Sequence, residues 1–391
     1  MYTTLNSLND IRKNPDVMKW LHFLFSKDTL DFFPEEYADD PLRLSGYRGH
    51  TSWGQDLREM ADQLADAANL ALELETGRRA CLRLKDWEPF APSGNEDLSD
   101  PDTAFLITPE TKESAADAGP ACDHFSARQA GIDQASSARS DNGQITSARS
   151  DNGRITSARS DNNQIASARS GTRRPCVIIC PGGGYEFVSF QNEGTPIQTF
   201  FEQRGFAAFI LRYRVAPSRY PDPQMDLLRT IRYVRDNADR YGIDPDRICV
   251  TGFSAAGHLA ASCAALCDEL LPGSRPDALV LGYPVITMKK GVTHEGSFLG
   301  LTGGDESMRE ALSCENLVGD TYPPTFVWAC EDDGCVPCEN TRLLDKALTA
   351  HGIRHEAHLY PTGGHGCGLA FGNSAWSWSR DAVHFLRTVF G

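Results

Sequence analysis

Ile248-Cys249-Val250-Thr251-Gly252-Phe253-Ser254-Ala255-Ala256-Gly257-His258 is a short β-branched run that ends on a serine held between small residues. Its apolar start has the length of a buried strand, and Leu259 to Leu266 reads as a small-residue helix. A serine on the sharp turn between strand and helix has its Oγ thrust out of the sheet, with helical N–H groups beneath it. Ser254 is therefore a candidate nucleophile. Glycine is usual two residues after such a serine. Ala256 stands there instead, and as the smallest alternative it is compatible with a close helix–strand approach. Small-residue turns with a serine also occur as plain structure, so this turn alone does not decide the chemistry.

A serine hydroxyl is a weak nucleophile and needs a general base, an orienting acid and donors for the oxyanion. Each has a candidate at the end of an expected strand. Val177-Ile178-Ile179-Cys180 runs into Pro181-Gly182-Gly183-Gly184-Tyr185, where successive glycines leave backbone N–H groups open to a developing oxyanion. Gly183 and Gly184, with the N–H of Ala255, are the expected donors; a plain glycine turn is the alternative. Thr325–Cys330 leads into Glu331-Asp332-Asp333-Gly334-Cys335-Val336-Pro337. Asp333, three residues before Val336-Pro337, is the expected acid, with Asp332 as the fallback and a solvated acidic loop as the bland alternative. Pro361-Thr362-Gly363-Gly364-His365-Gly366 offers His365 as base on a loop expected to be mobile. The order Ser254…Asp333…His365, each after its own strand, is far more specific than any single motif. His258, Glu193 and Tyr185 also lie near these motifs. Packing is expected for His258 and a brace for the glycine loop or a helix-end charge for Glu193; Tyr185, next to the glycines, invites a contact with the acyl or alcohol group but is not assigned one. His294-Glu295-Gly296-Ser297 is a candidate for part of a substrate lid.

From Pro175 onward strands and helices alternate. Strands are expected at Cys176–Cys180, Ala207–Arg212, Arg247–Val250, Ala278–Tyr283, Thr325–Cys330 and Glu356–Tyr360. Helices are expected at Gly194–Arg204, Pro223–Tyr241, His258–Leu271, Asn340–His351 and Ser377–Phe390. That alternation implies an α/β fold with a mostly parallel central sheet flanked by helices and a site at the carboxyl ends of its strands. Residues 1–90 read as a helical N-terminal extension, with helices at Asp16–Phe25 and Trp53–Leu74; Met60, Leu64, Ala67, Leu70 and Leu74 form one apolar stripe. Ala80–Leu84 and Thr103–Ile107, the latter within residues 91–110, are expected to begin the sheet. Residues 111–174 form an insertion built on near copies of Ser-Ala-Arg-Ser-Asp-Asn-Gly-Gln-Ile-Thr, beginning at Ser137, Ser147 and Ser157. One isoleucine in each copy offers too little apolar surface to offset ordering entropy, so disorder is expected over a small solenoid.

The 391 residues have the composition of an ordinary globular protein, 40% hydrophobic and 23% charged. A net charge of −15 argues against nucleic acid and anionic membrane surfaces as partners. No apolar run reaches the roughly 20 residues of a membrane helix, and the start lacks a signal-peptide pattern, so a cytoplasmic setting is expected. The twelve cysteines are then expected as free thiols. Cys335-Val336-Pro337-Cys338 has no second pair at zinc-finger spacing, and neither metal nor cofactor is expected. A small acyl ester is the expected partner, and a homo-oligomer is left open.

The glycine run, Asn192-Glu193-Gly194, Gly252–Ala260, Glu295-Gly296-Ser297 with Leu299-Gly300, Pro323–Phe326 and Gly363–Gly366 together resemble bacterial carbohydrate esterases. These are acetyl-xylan-esterase-like and feruloyl-esterase-like α/β-hydrolases near the hormone-sensitive-lipase group. Resemblance runs from about Pro175 to the end and more weakly over the first ninety residues. Relatives usually read G-x-S-A-G-G, so Ala256 departs from the pattern. The glycine run departs too, with Pro181 where the related HGGG loop has histidine. The resemblance implies a Ser-His-Asp esterase that removes acetyl or related short acyl groups from sugars or small alcohols without a cofactor. The same triad would serve an arylformamidase or a peptidase, and a non-catalytic binding protein on this fold is the alternative of another class.

Overall fold

The computed structural model describes residues 1–2, 6–24, 38–39, 42, 57–89, 104–110 and 173–391. The decapeptide copies, Phe25, the segment 53–56 and Thr103 lie outside the described residues, as does the side chain of Met60. The chain divides into two units, Met1–Thr111 with Arg173–Gly391, and Lys112–Thr172. The first unit holds all of the described strands.

Eight strands are described: β1 (Cys81–Arg83), β2 (Phe105–Ile107), β3 (Arg174–Cys180), β4 (Ala207–Arg212), β5 (Ile243–Phe253), β6 (Ala278–Gly282), β7 (Thr325–Cys330) and β8 (His355–Tyr360). They form one sheet in the order β1-β2-β4-β3-β5-β6-β7-β8. The first two pairings are antiparallel, and every pairing from β4 to β8 is parallel. All residues of β4, β6 and β7 are buried, as are the last five of β3. Such near-continuous apolar runs are what a parallel sheet covered on both faces requires.

The order reverses at β3. The chain steps from β3 outward to β4, then crosses back to place β5 on the other side of β3. Loops leaving adjacent strands in opposite senses open a crevice at their carboxyl ends. The two loops concerned are the glycine run after β3 and the serine turn after β5.

Some boundaries differ from the sequence expectation for identifiable reasons. The expected helix Pro223–Tyr241 breaks at Asn237 into Asp222–Asp236 and Ala238–Tyr241; the Asn237 side chain donates to the Tyr233 carbonyl at 2.8 Å. Helix Glu295–Thr302 was not expected, because Gly296 and Gly300 are poor helix formers. Packing overrides that propensity. A Cβ on Gly300 would stand 2.7 Å from the Gly184 carbonyl oxygen, so glycine is what lets this helix lie against the glycine loop. β5 begins at Ile243, earlier than expected, and its pairing with β3 shifts register between Arg174 and Cys176.

Near the N-terminus, helix Leu57–Glu75 packs on helix Pro15–Leu24 and on the helices Phe190–Glu193 and Thr195–Glu202. Leu64, Ala67, Leu70 and Leu74 of the expected stripe are buried. The chain leaves β2 toward the amino end of β4, since Ile107 faces Ile210 and Phe105 faces Arg212. It returns at Arg174, opposite Ile243 at the start of β5. Both departures lie at the end of the sheet away from Ser254.

A buried cation ties these parts together. Arg79 donates from Nη1 and Nη2 to the two carboxylate oxygens of Glu202, each at 2.8 Å, and is also paired with Glu73. Removing the guanidinium leaves two largely buried carboxylates facing each other without a cation. Arg79→Ala is expected to lower the unfolding free energy by about 2–3 kcal/mol in urea titrations, discounted for partial solvent access. A change below about 0.5 kcal/mol would contradict this reading.

Candidate active site

Ser254 directly follows β5 and precedes helix Ala255–Leu270, with φ +53° and ψ −123°. A non-glycine residue in this region carries strain of about 1–3 kcal/mol, which persists only where the surroundings over-determine it. Here the Ser254 N–H donates to the Gly282 carbonyl on β6 at 3.0 Å, and the Ser254 carbonyl accepts from Gly257 and Val285. The closeness of helix and strand rests on Gly252 and Gly257. A Cβ on Gly252 would stand 2.2 Å from the Ala256 carbonyl oxygen, and one on Gly257 would stand 2.4 Å from Pro284 Cβ. Ala256 is itself fully buried, so the turn accommodates the off-pattern methyl.

The structure brings Ser254, His365 and Asp333 into one hydrogen-bonded row. Ser254 Oγ lies 2.8 Å from His365 Nε2, and His365 Nδ1 lies 2.7 Å from Asp333 Oδ2. A carboxylate only accepts, so Nδ1 carries the proton and Nε2 is left to accept from the serine hydroxyl. The Asp333 side chain is sealed from solvent, and its other oxygen, Oδ1, accepts from the N–H groups of Cys335 and Val336 at 2.9 Å each. Asp332 is used differently: its Oδ1 accepts from the Gly364 N–H at 2.8 Å, holding the backbone beside the histidine.

The glycine loop sits directly against the serine. A Cβ on Gly182 would stand 2.8 Å from Ser254 Cβ, and one on Gly183 would stand 2.2 Å from the Phe187 carbonyl oxygen. Gly183 and Gly184 have φ of +131° and +68°, open to glycine and strained for other residues. Among the described residues no protein acceptor takes a hydrogen bond from the Gly183 or Gly184 N–H. Ala255 opens its helix, where first-turn N–H groups have no intrahelical partner.

Several site groups escaped the sequence reading or were only partly read. Glu193, considered there as a brace, is fully buried; its Oε2 accepts from the Gly182 N–H at 2.6 Å and its Oε1 from the Tyr283 hydroxyl at 2.7 Å. Burial pushes its carboxyl above the usual range, opposed by those two hydrogen bonds. The Tyr283 hydroxyl also accepts from the Gly368 N–H at 3.1 Å, and its ring meets the His365 ring edge-on at 5.0 Å. One tyrosine thus joins the glycine loop to the histidine loop. Asn192 donates to the Gly366 carbonyl and accepts from Gln63 Nε2 at 3.2 Å, bringing in the N-terminal helix Leu57–Glu75. Trp378 Nε1 donates to the Gly368 carbonyl at 3.0 Å. The histidine loop, expected to be mobile, is therefore tied down at Gly364, Gly366 and Gly368. No local pattern marks Tyr283 or Gln63, because their partners are distant in sequence.

His258 is fully buried beneath the serine turn. Its Nε2 lies 2.7 Å from the Leu312 carbonyl, so it donates there and Nδ1 accepts from the Tyr185 hydroxyl at 2.9 Å. Tyr185 is itself fully buried at φ +61°, directly after the glycine run, which does not favour the substrate contact it invited. His294 caps helix Glu295–Thr302, its Nδ1 accepting from the Ser297 N–H at 3.2 Å. Among the described residues all cysteines are free, Cys335 and Cys338 included, and no cluster suited to a metal ion occurs. Among the same residues no helix is long and apolar enough to cross a membrane.

Residues 165–273 match the family described as BD-FAE, and residues 223–391 match the prolyl oligopeptidase family. Among curated proteins, the chain is 34% identical over 231 residues to an endo-1,4-beta-xylanase B of Butyrivibrio fibrisolvens, covering 56% of this chain and 36% of that protein. It is 31% identical over 213 residues to an acetylxylan esterase of Xylanibacter ruminicola, covering 53% and 43%. The chain thus spans less than half the length of these two curated relatives. Among solved structures, an acetyl ester-xyloside bifunctional hydrolase from Caldicellulosiruptor lactoaceticus is 37% identical, with a TM-score of 0.52 and coverage of 57% of this chain and 86% of that one. The carboxylesterase Cest-2923 from Lactobacillus plantarum WCFS1 is 28% identical, with a TM-score of 0.50 and coverage of 58% and 90%.

Burial lowers the pKa of His258 to about 4, against an ordinary 6.5, the Leu312 carbonyl opposing the shift. Because the folded value lies below the unfolded one, the unfolded chain takes up the proton first as pH falls. Stability held above pH 6.5 is therefore lost progressively between 6.5 and about 4, by about 3 kcal/mol from this group. His258→Gln is expected to flatten the pH dependence of the unfolding free energy across that window. An unchanged slope would contradict the assignment.

Proposed function

The chain belongs to the α/β-hydrolase superfamily, and from that membership we propose that it is a serine carboxylic-ester hydrolase that removes acetyl or other short acyl groups from sugars or small alcohols. The observation that carries this reading is the row Ser254–His365–Asp333, set beside glycine N–H groups with no protein acceptor. His365 Nε2 takes the Ser254 proton as Oγ attacks the ester carbonyl, and Asp333 steadies the imidazolium. The oxyanion is held by the N–H groups of Gly183, Gly184 and Ala255. His365 then protonates the departing alcohol, and a water that it deprotonates releases the acid from Ser254.

The sugar-ester preference draws on the relatives whose names include acetylxylan esterase and acetyl ester-xyloside hydrolase. The surroundings suit such a substrate. Phe187, Leu299, Phe371 and Trp376 are exposed large apolar side chains, each on a segment flanking the site. Aromatic and aliphatic faces of this kind pack against the C–H faces of a sugar ring or against an acyl chain. The match of residues 223–391 to the prolyl oligopeptidase family supports a second reading, amide hydrolysis by the same three residues.

A panel of 4-nitrophenyl acetate, acetylated xylosides, a formyl amide and a prolyl peptide separates the readings. Ester turnover that falls by roughly 10⁴-fold in Ser254→Ala is the expected outcome; turnover confined to the amide or peptide would displace it. Asp333→Asn is expected to lower kcat on the order of 10⁴-fold, as loss of the orienting acid does in serine proteases. Asp332→Asn, which removes only a loop anchor, is expected to cost less than about 30-fold, near the 2 kcal/mol of one hydrogen bond to a charged group. The reverse ranking would reassign the acid.

A further inference from the structure

His294 has one ring nitrogen occupied and one free. Nδ1 accepts from the backbone N–H of Ser297 at 3.2 Å and lies 2.9 Å from its hydroxyl. A backbone N–H can only donate, so Nδ1 holds a lone pair and the ring proton of the neutral imidazole sits on Nε2. Burial lowers the pKa of this histidine, with the neighbouring His365 acting in the same direction, which keeps the ring neutral near pH 7. Among the described residues no acceptor takes the Nε2 proton, and Nε2 is not sealed from solvent.

The position of that donor is set by packing. Helix Glu295–Thr302 lies on the glycine loop through Gly300, which touches Gly184 and Tyr185. Its first residue follows His294, whose Cε1 stands 3.8 Å from where a Cβ on Gly184 would be. Nε2 is bonded to that Cε1. The ring therefore stands beside Gly184, whose N–H is one of the oxyanion donors in the reading above.

We propose that His294 is a specificity-determining residue whose Nε2–H binds an oxygen of the alcohol part of the substrate, next to the ester being cleaved. This rests on the ester-hydrolase reading above. A short acyl group has no oxygen beyond its carbonyl, and the carbonyl belongs to the glycine N–H groups. The bridging ester oxygen is left to His365, which protonates it on departure, so the acceptors remaining for a donor above Gly184 are the hydroxyl or ring oxygens of a sugar alcohol. A half-buried donor with no protein acceptor favours an alcohol that offers it an oxygen over one that does not.

Two substitutions separate this role from helix capping. His294→Asn keeps an acceptor where Nδ1 stands and removes the distal donor, whereas His294→Gln places an amide N–H near Nε2 and gives up the cap. The readout is kcat/KM on a monoacetylated methyl xyloside relative to 4-nitrophenyl acetate, whose alcohol lacks such oxygens. For His294→Asn the ratio is expected to fall about tenfold or more, with a Tm near that of the wild type. For His294→Gln the ratio is expected to hold within about threefold while Tm drops by roughly 2–4 °C. An unchanged ratio in His294→Asn, or an equal fall in both variants, overturns the assignment. A wild type inactive on both esters overturns the ester-hydrolase reading itself, and this inference with it.

Discussion

The site hangs on one close approach, that of Gly182 to Ser254. No side chain fits between them, since a Cβ on Gly182 would crowd both the serine Cβ and the Phe253 carbonyl oxygen at 2.8 Å. The sheet order makes that approach unavoidable. β3 and β5 are parallel neighbours in register, with Cys180 opposite Gly252, so the loops that leave them meet one or two residues later. A serine forced to φ +53° on one side and a glycine run on the other are two halves of one steric solution. The strain at Ser254 is held by three hydrogen bonds with two segments, the end of β6 at Gly282 and Val285 and the first helical turn at Gly257.

Around that contact lies a buried polar frame that supports the row Ser254–His365–Asp333 without belonging to it. Glu193 fixes Gly182, Tyr283 links Glu193 to Gly368, and Asn192 links Gly366 to Gln63. Buried polar groups are costly unless paired, so such a frame has one good arrangement and many poor ones. The frame thereby fixes the glycine loop and the histidine loop relative to Ser254. The frame also draws the N-terminal helix into the architecture of the site through Gln63, beyond its packing role.

Much of the fold was legible because its signals are local. Strand–glycine and strand–serine junctions each occupy fewer than ten consecutive residues, and the apolar runs of β3, β4, β6 and β7 are unbroken. Ser254, Asp333 and His365 could be proposed because each follows its own strand. What stayed hidden is long-range. Gln63 and Asn192 are 129 residues apart, and Tyr283 and Glu193 are 90 apart, so no window holds both partners. Helix Glu295–Thr302 was illegible for a different reason: its glycines oppose helix formation locally and are required by packing against Gly184. The tethering of the histidine loop was missed because glycine spacing reports backbone freedom and is silent about what restrains it.

The points where the chain leaves and rejoins the sheet around residues 111–172 bear on how the protein could have changed over time. Both lie at the amino ends of the parallel strands, so the core constrains only the separation of two anchor points remote from Ser254. A change in the number of copies therefore enters the chain next to strand ends opposite those that carry the glycine run and Ser254. Three near copies of one unit stand in the sequence as the record such tolerance would leave.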